Sequence, residues 1–184
     1  MGLTRSLVES YAETLTALVA VDNNTSGFIK DTEGWRVLAA SAVAVTHTGN
    51  TSETALATIT IPAGAIGPNG TIRVTALTTN NNNANIKTTR FRWDTISGTD
   101  FLGYATTTNV THQPQRTIWN RNSASSQISV PAGITNPFAA ISIAPATAAI
   151  NTAVATTFVI TGQLANAADT VTLESYLVEI FYKA

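Results

Sequence analysis

Chemistry in this chain would have to start from its two histidines, His47 and His112, because imidazole is the commonest general base and metal ligand near neutral pH. They fall in neither an H-x-x-x-H nor an H-E-x-x-H spacing, and no cysteine stands ready to complete a metal site. His47 lies in an alternating segment and is expected at the surface or at a sheet edge. Hydroxyl groups abound, but none sits in the G-x-S-x-G elbow that exposes a serine nucleophile. Asp94 and Asp100 bracket a turn and could approach each other as the carboxylate pair of a glycosidase does; two turn-forming aspartates are the favoured reading. Gly64, Gly67 and Gly70 lie between strand-like segments with no helix after them, so they make a turn and not a phosphate cradle. The expectation is a protein that is not an enzyme, with no catalytic residue, no cofactor and no metal.

The positive charges are the remaining chemical signal. Arg73, Lys87, Arg90, Arg92, Arg116 and Arg121 are six of the ten basic residues, and only Asp94 and Asp100 oppose them over the same span. On paired strands they could form a basic stripe interleaved with Trp93 and Trp119, as nucleic-acid surfaces do. The net charge of −1 supplies no overall field toward a polyanion. Arg73, Arg90, Arg92, Arg116 and Arg121 are therefore read as interface residues that meet acids or carbonyls of a neighbouring subunit. Neither nucleic acid nor membrane is an expected partner, since no apolar run approaches the length of a membrane span. Met1–Ala20 is not read as a signal peptide, because Glu9 and Glu13 interrupt it.

The elements that position these residues are strands. The chain has 184 residues, enough for one sizeable core, and 44% are hydrophobic but only 11% charged. Its polarity comes instead from Asn, Ser and 32 threonines, and Thr is β-branched and suits a half-solvated pleated surface. So few charges on an apolar chain also point to an oligomer. Strands are predicted over 41–48, 54–61, 71–79, 85–93, 101–105, 113–122, 127–130, 139–143, 155–161 and 169–182. Ala55, Ala57, Ile59 and Ile61 share one face, as do Ile72, Val74 and Ala76, with Thr71, Arg73 and Thr75 opposite; Phe91 and Trp93 oppose Arg90 and Arg92. In the last strand Val171, Leu173 and Leu177 have one parity and Val178, Ile180 and Tyr182 the other. That phase change predicts a bulge or bend near Ser175. The Asn69-Gly70 pair is expected to supply positive φ in the turn before it. Turn clusters every ten residues or so, with no helical period between them, predict an all-β antiparallel sandwich of jelly-roll type over 38–184.

Residues 1–37 have a different texture, holding five of the eleven acids and no proline. Leu3, Leu7, Tyr11, Leu15 and Val19 recur every four residues, which is one face of a helix or the docking stripe of an irregular arm. Either way the stripe needs something to bury it, and these five residues are the expected partner-binding anchor.

Two stretches, Ala57–Leu77 (ATITIPAGAIGPNGTIRVTAL) and Ile160–Ile180 (ITGQLANAADTVTLESYLVEI), resemble the small jelly-roll structural proteins of tailed-bacteriophage virions. The segments Lys87–Trp93 and Arg116–Asn122 are similar in order and spacing, and the resemblance runs from Ala40 to Tyr182. It implies a homotrimer on the exterior of a capsid or tail: a decoration (cement) protein that binds the major capsid protein or another virion protein. The alternative is a fibre or spike head that contacts a host surface or glycan, for which exposed aromatics such as Trp93, Tyr104 and Trp119 would serve.

Overall fold

The computed structural model describes residues 34–133 and 142–184. The predicted helix or arm, with Leu3, Leu7, Tyr11, Leu15 and Val19, lies outside the described residues. So do positions 139–141 of one predicted strand; 142–143 form a bend, and the strand nearby starts later.

Twelve strands occur among the described residues: β1 (Trp35–Ser41), β2 (Val45–His47), β3 (Thr54–Ile61), β4 (Thr71–Asn80), β5 (Lys87–Trp93), β6 (Thr99–Thr106), β7 (Thr111–His112), β8 (Gln115–Asn120), β9 (Gln127–Ser129), β10 (Ala146–Ala148), β11 (Thr156–Leu164) and β12 (Val171–Phe181). β1 takes in Trp35–Val37, which sequence texture grouped with the N-terminal segment. All pairings are antiparallel. The larger sheet runs β1-β12-β4-β8-β9-β10, with β2 on β12 and β7 on β4; the smaller runs β3-β11-β5-β6. Ranked along the chain without the short β2, β7, β9 and β10, the eight longer strands read 1-8-3-6 in one sheet and 2-7-4-5 in the other. That interleaving is a jelly roll: early strands pair with late ones, and the sheets end in β1 and β10 and in β3 and β6.

The core lies between the sheets and follows the alternation in the sequence. Ile72, Val74 and Ala76 of β4 point inward, and Arg73 and Thr75 point out. Phe91 and Trp93 of β5 meet Phe158 and Phe101 in tilted and edge-on ring contacts at 5.9–6.1 Å, and the Trp93 indole N–H donates to Thr156 Oγ1 at 3.0 Å. β12 carries the predicted bulge, between Leu173 and Ser175. Val171 and Leu173 before it, and Val178 and Ile180 after it, all reach the core. A second irregularity alters the expected face of β3. Ala57, Ile59 and Ile61 stand opposite core positions of β11, but a register shift at Ile160/Thr161 turns Leu56 inward and leaves Ala55 exposed.

The 64–70 turn differs in detail from expectation. Positive φ falls on Gly64 (64°) and Gly67 (76°) and not on Asn69-Gly70. Gly70 is needed for a different reason: a Cβ there would lie 1.7 Å from the Ile66 carbonyl oxygen and 2.6 Å from that of Phe181. The turn is held to the end of β12, with Asn69 N–H donating to Lys183 O and Lys183 N–H to Ile66 O. Buried Gln127 and Asn120 tie it to the neighbouring loops. Gln127 Nε2 donates to Asn120 Oδ1 at 2.9 Å, and Asn120 Nδ2 donates to Gly67 O at 2.7 Å.

Candidate functional site

The outer face of the larger sheet carries one row of directly opposed residues that crosses five strand boundaries. Trp35 stands opposite Phe181, Phe181 opposite Thr71, Thr71 opposite Trp119, Trp119 opposite Ile128 and Ile128 opposite Thr147. Opposed residues of an antiparallel ladder share a face, so these side chains form a band across the strands. Trp35 is 41% and Trp119 43% exposed, and three strand spacings separate them, about 14 Å. Val37, Leu77 and Leu177 extend the apolar surface along the strands. Beside Trp119 a cleft of about 330 Å³ is lined by Ile128, Val130, Pro131, Ile143 and Pro145. The charges here cancel. Arg73 pairs with Glu179 at 2.8 Å and lays its guanidinium over the Trp35 ring, 4.2 Å from the centroid.

The outer face of the smaller sheet is built differently. Glu53, just before β3, receives a forked pair from Arg92 (2.6 and 2.9 Å), a bond from Arg90 (3.2 Å) and one from the Thr161 hydroxyl (2.5 Å). Arg90 also donates to Gln163 Oε1 at 2.8 Å and lies 3.5 Å from Asp100 Oδ2. Burial pushes the Glu53 carboxyl up, but the hydrogen bonds of Arg92 and Thr161 and the two guanidinium charges outweigh it and hold it below the usual carboxylate range. Asp100 goes the other way, because its burial outweighs the pull of Arg92 and Arg90.

The basic residues therefore do not make one stripe. Arg73 belongs to the outer face of one sheet and Arg90 and Arg92 to that of the other. Lys87 and Arg116 are buried on the core side, and Arg121 is exposed. Besides Asp100, which meets Arg90, the acids they meet are Glu53 and Glu179 of the same chain, neither of which lies in the basic span. Sequence spacing could not reveal those partners, which stand 39 and 106 residues away.

Two aromatic expectations are also corrected. Trp93, with the inward parity of β5, is 1% exposed, and Tyr104 stacks on His112 with ring centroids 4.3 Å apart. Trp119 keeps the exposure expected of it, and the other exposed tryptophan is Trp35. His47 is on an edge strand but 4% exposed, since it faces inward opposite Val171. His112 Nε2 meets Thr78 Oγ1 at 2.5 Å, and burial pushes its imidazole down to about 4, so it is neutral at pH 7. Asp94 takes a positive φ of 91° at its turn, whereas Asp100 lies on β6. No three His, Cys, Asp or Glu side chains gather into a metal-binding group among the described residues.

No protein-family model matches the chain, and no curated protein is similar to it in sequence. Among solved structures it is similar to the CBM2 module of the Lactobacillus casei BL23 phage J-1 evolved Dit, with 12% identity, a TM-score of 0.33, and 69% of this chain and 70% of that one covered. A structure described as "CBM4 structure and function" has 12% identity and a TM-score of 0.30 over 73% of this chain and 89% of that one. The infectious bursal disease virus Gx strain structure has 13% identity and a TM-score of 0.28, covering 84% of this chain and 37% of that one. Likeness at this level defines no family.

Proposed function

We propose that this protein is a non-enzymatic structural component of a bacteriophage particle, a trimeric decoration protein on the exterior of the capsid or tail. The observation that carries the reading is the outer face of the larger sheet. Its band of Trp35, Phe181, Trp119 and Ile128 is apolar, the ion pair beside it is internal, and Trp35 and Trp119 are left 41% and 43% exposed. Exposed tryptophans flanked by aliphatic side chains are the residues that anchor protein–protein contacts. We assign this face to contacts between copies, and residues 1–33, the part of the N-terminal segment that precedes β1, to binding the major capsid protein or another virion protein. Native mass spectrometry at low micromolar concentration tests the first assignment: a trimer is expected, and a clean monomer overturns it. For the second, a chain lacking residues 1–33 is added to particles stripped of the protein. It is expected not to co-sediment, and full occupancy would place the anchor on the β-domain.

A second reading has its own observation. Two exposed indoles about 14 Å apart, with Phe181 and Thr71 between them and Glu179, Arg73 and Thr117 in the next row along the strands, are also what a neutral glycan would stack on and hydrogen-bond to. That is the fibre-head alternative. A few tens of copies per particle, with glycan binding lost in Trp35→Ala, would favour it; hundreds of copies favour decoration.

A further inference from the structure

The Asn-rich loop between β4 and β5 holds an arrangement that the proposed function does not use. Lys87 is 1% exposed, and its ammonium sits among four oxygens: Asn83 Oδ1 (2.7 Å), Thr107 O (2.7 Å), Asn85 O (2.9 Å) and Asn83 O (3.4 Å). The carboxamide it touches is gripped at its other end as well. Asn83 Nδ2 donates to Asp169 Oδ1 at 2.5 Å, and Asp169 is 2% exposed. Asp169 Oδ1 also accepts from Asn81 Nδ2 at 2.9 Å, while Asp169 Oδ2 is buried with no hydrogen-bond partner. The backbone N–H of Asn85 donates to Asn83 Oδ1 at 3.0 Å. A primary amine, an amide carbonyl with a backbone N–H on its oxygen, and a carboxylate on its nitrogen are the parts of an acyl-transfer site.

We propose that Lys87 and Asn83 form an intramolecular isopeptide bond, with Asp169 as the proton carrier and the Asn85 N–H as the oxyanion donor. Nζ gives up a proton to Asp169 and attacks Asn83 Cγ; the new C–N bond pushes the carbonyl electron pair onto Oδ1, where the Asn85 N–H holds it. Nζ and Nδ2 then share one carbon, which carries Nζ toward the carboxylate that already holds Nδ2 through Oδ1; Asp169 passes the first proton to Nδ2, and Oδ2, which has no hydrogen-bond partner, takes the second from Nζ. The Cγ–Nδ2 bond breaks with its electron pair on the singly protonated nitrogen, the carbonyl re-forms, and the released ammonia takes the second proton from Asp169 to leave as ammonium. Lysine ammonium plus carboxamide gives a secondary amide plus one ammonium ion, so protons and charge balance with no oxidant or cofactor. The hydrogen bonds of Asn81 and Asn83 hold the Asp169 carboxyl below the usual carboxylate range, so it enters as the ionised form that accepts a proton. Burial keeps out the water that would compete for the acyl carbon. The reaction occurs once per chain.

The readout is the covalent mass of the full purified chain. Bond formation removes one ammonia, about 17 Da, and blocks trypsin at Lys87, because the amine it recognises has become an amide. The expected tryptic fragment runs from Val74 to Arg90 with Lys87 uncleaved and one ammonia missing. Normal cleavage after Lys87 overturns the proposal, including in a chain that has lost ammonia elsewhere, such as at Asn69-Gly70. K87R, which keeps a cation among the four oxygens, is the unlinked reference and should show its full sequence mass; the same loss in K87R would also overturn the assignment. D169N is expected to fold, as read by thermal melting, and to stay unlinked. A D169N chain that still loses ammonia at this peptide removes Asp169 from the mechanism.

Discussion

The two outer faces of this sandwich solve the same problem in opposite ways. On the smaller sheet, Arg90, Arg92, Glu53, Asp100, Thr161 and Gln163 satisfy one another, and the face is finished within a single chain. On the larger sheet, Trp35, Phe181, Trp119 and Ile128 stand together with one self-neutralised pair, Arg73–Glu179. A hydrogen-bonded polar face loses little by staying in water, whereas an apolar band gains roughly 25 cal/mol for each Å² it removes from water. The difference separates a face whose polar groups are satisfied within the chain from one that leaves two indoles in water.

The largest effect expected from breaking this contrast is at Glu53. Glu53→Ala strips the forked acceptor from Arg92 and the partners of Arg90 and Thr161, and is expected to cost about 2–4 kcal/mol, allowing for side chains that retain some solvent. Thermal unfolding measures it, and a change under half that size would show the network to be ornamental. Trp119→Ala should do the reverse. The fold is expected to melt within a few degrees of wild type, while the proposed trimer associates at least tenfold more weakly, a loss of about 1.4 kcal/mol or more. A trimer of unchanged affinity would move the interface off this face.

Acid titration sharpens the comparison further. The folded His112 imidazole is pushed down to about 4 by burial, while the unfolded one protonates near 6.5. The unfolded state therefore binds more protons as pH falls from 6.5 toward 4, and stability is lost across that window. Glu53, held low in the fold, loses its contribution below its ordinary value of 4.5. Asp100, raised in the fold, opposes this slightly, because protonation there favours the folded state. Melting temperature is expected to drop between pH 7 and pH 4.5, while indole burial in the proposed trimer, which rests on apolar side chains, persists. In His112→Gln the upper part of that slope should vanish. The smallest effect is a control: Val43→Thr, in the exposed segment between β1 and β2, is expected to change stability by less than about 0.5 kcal/mol.

Much of the fold was legible because a half-buried strand writes its face into the sequence with a period of two. The alternation of Ile72, Val74 and Ala76 with Arg73 and Thr75 gave β4 its orientation, and the broken parity of Leu173 and Val178 located a bulge that is there. Other elements were not legible. β7 and β10 are too short to show a period, the domain boundary placed after residue 37 cut through β1, and the β3 irregularity depends on its pairing with β11.

Local pattern alone determined that the described part of this chain is all-β and that its strands are antiparallel and amphipathic. Parity is a property of neighbouring residues, so it needs no knowledge of the rest of the chain. Which strands pair, and so which side chains meet, was decided only by the tertiary structure. Trp93 and Trp119 both end alternating segments beside arginine-bearing stretches, yet one is in the core and the other on an open face. The pairing order of the jelly roll, which sets β8 against β4 and β5 against β11, makes that choice. The same long-range pairing brings Glu53 to Arg92 and Asp169 to Asn83. Sequence separation carries no signal for such contacts, because loop closure costs grow only slowly with length and any of many registers would satisfy the local pattern.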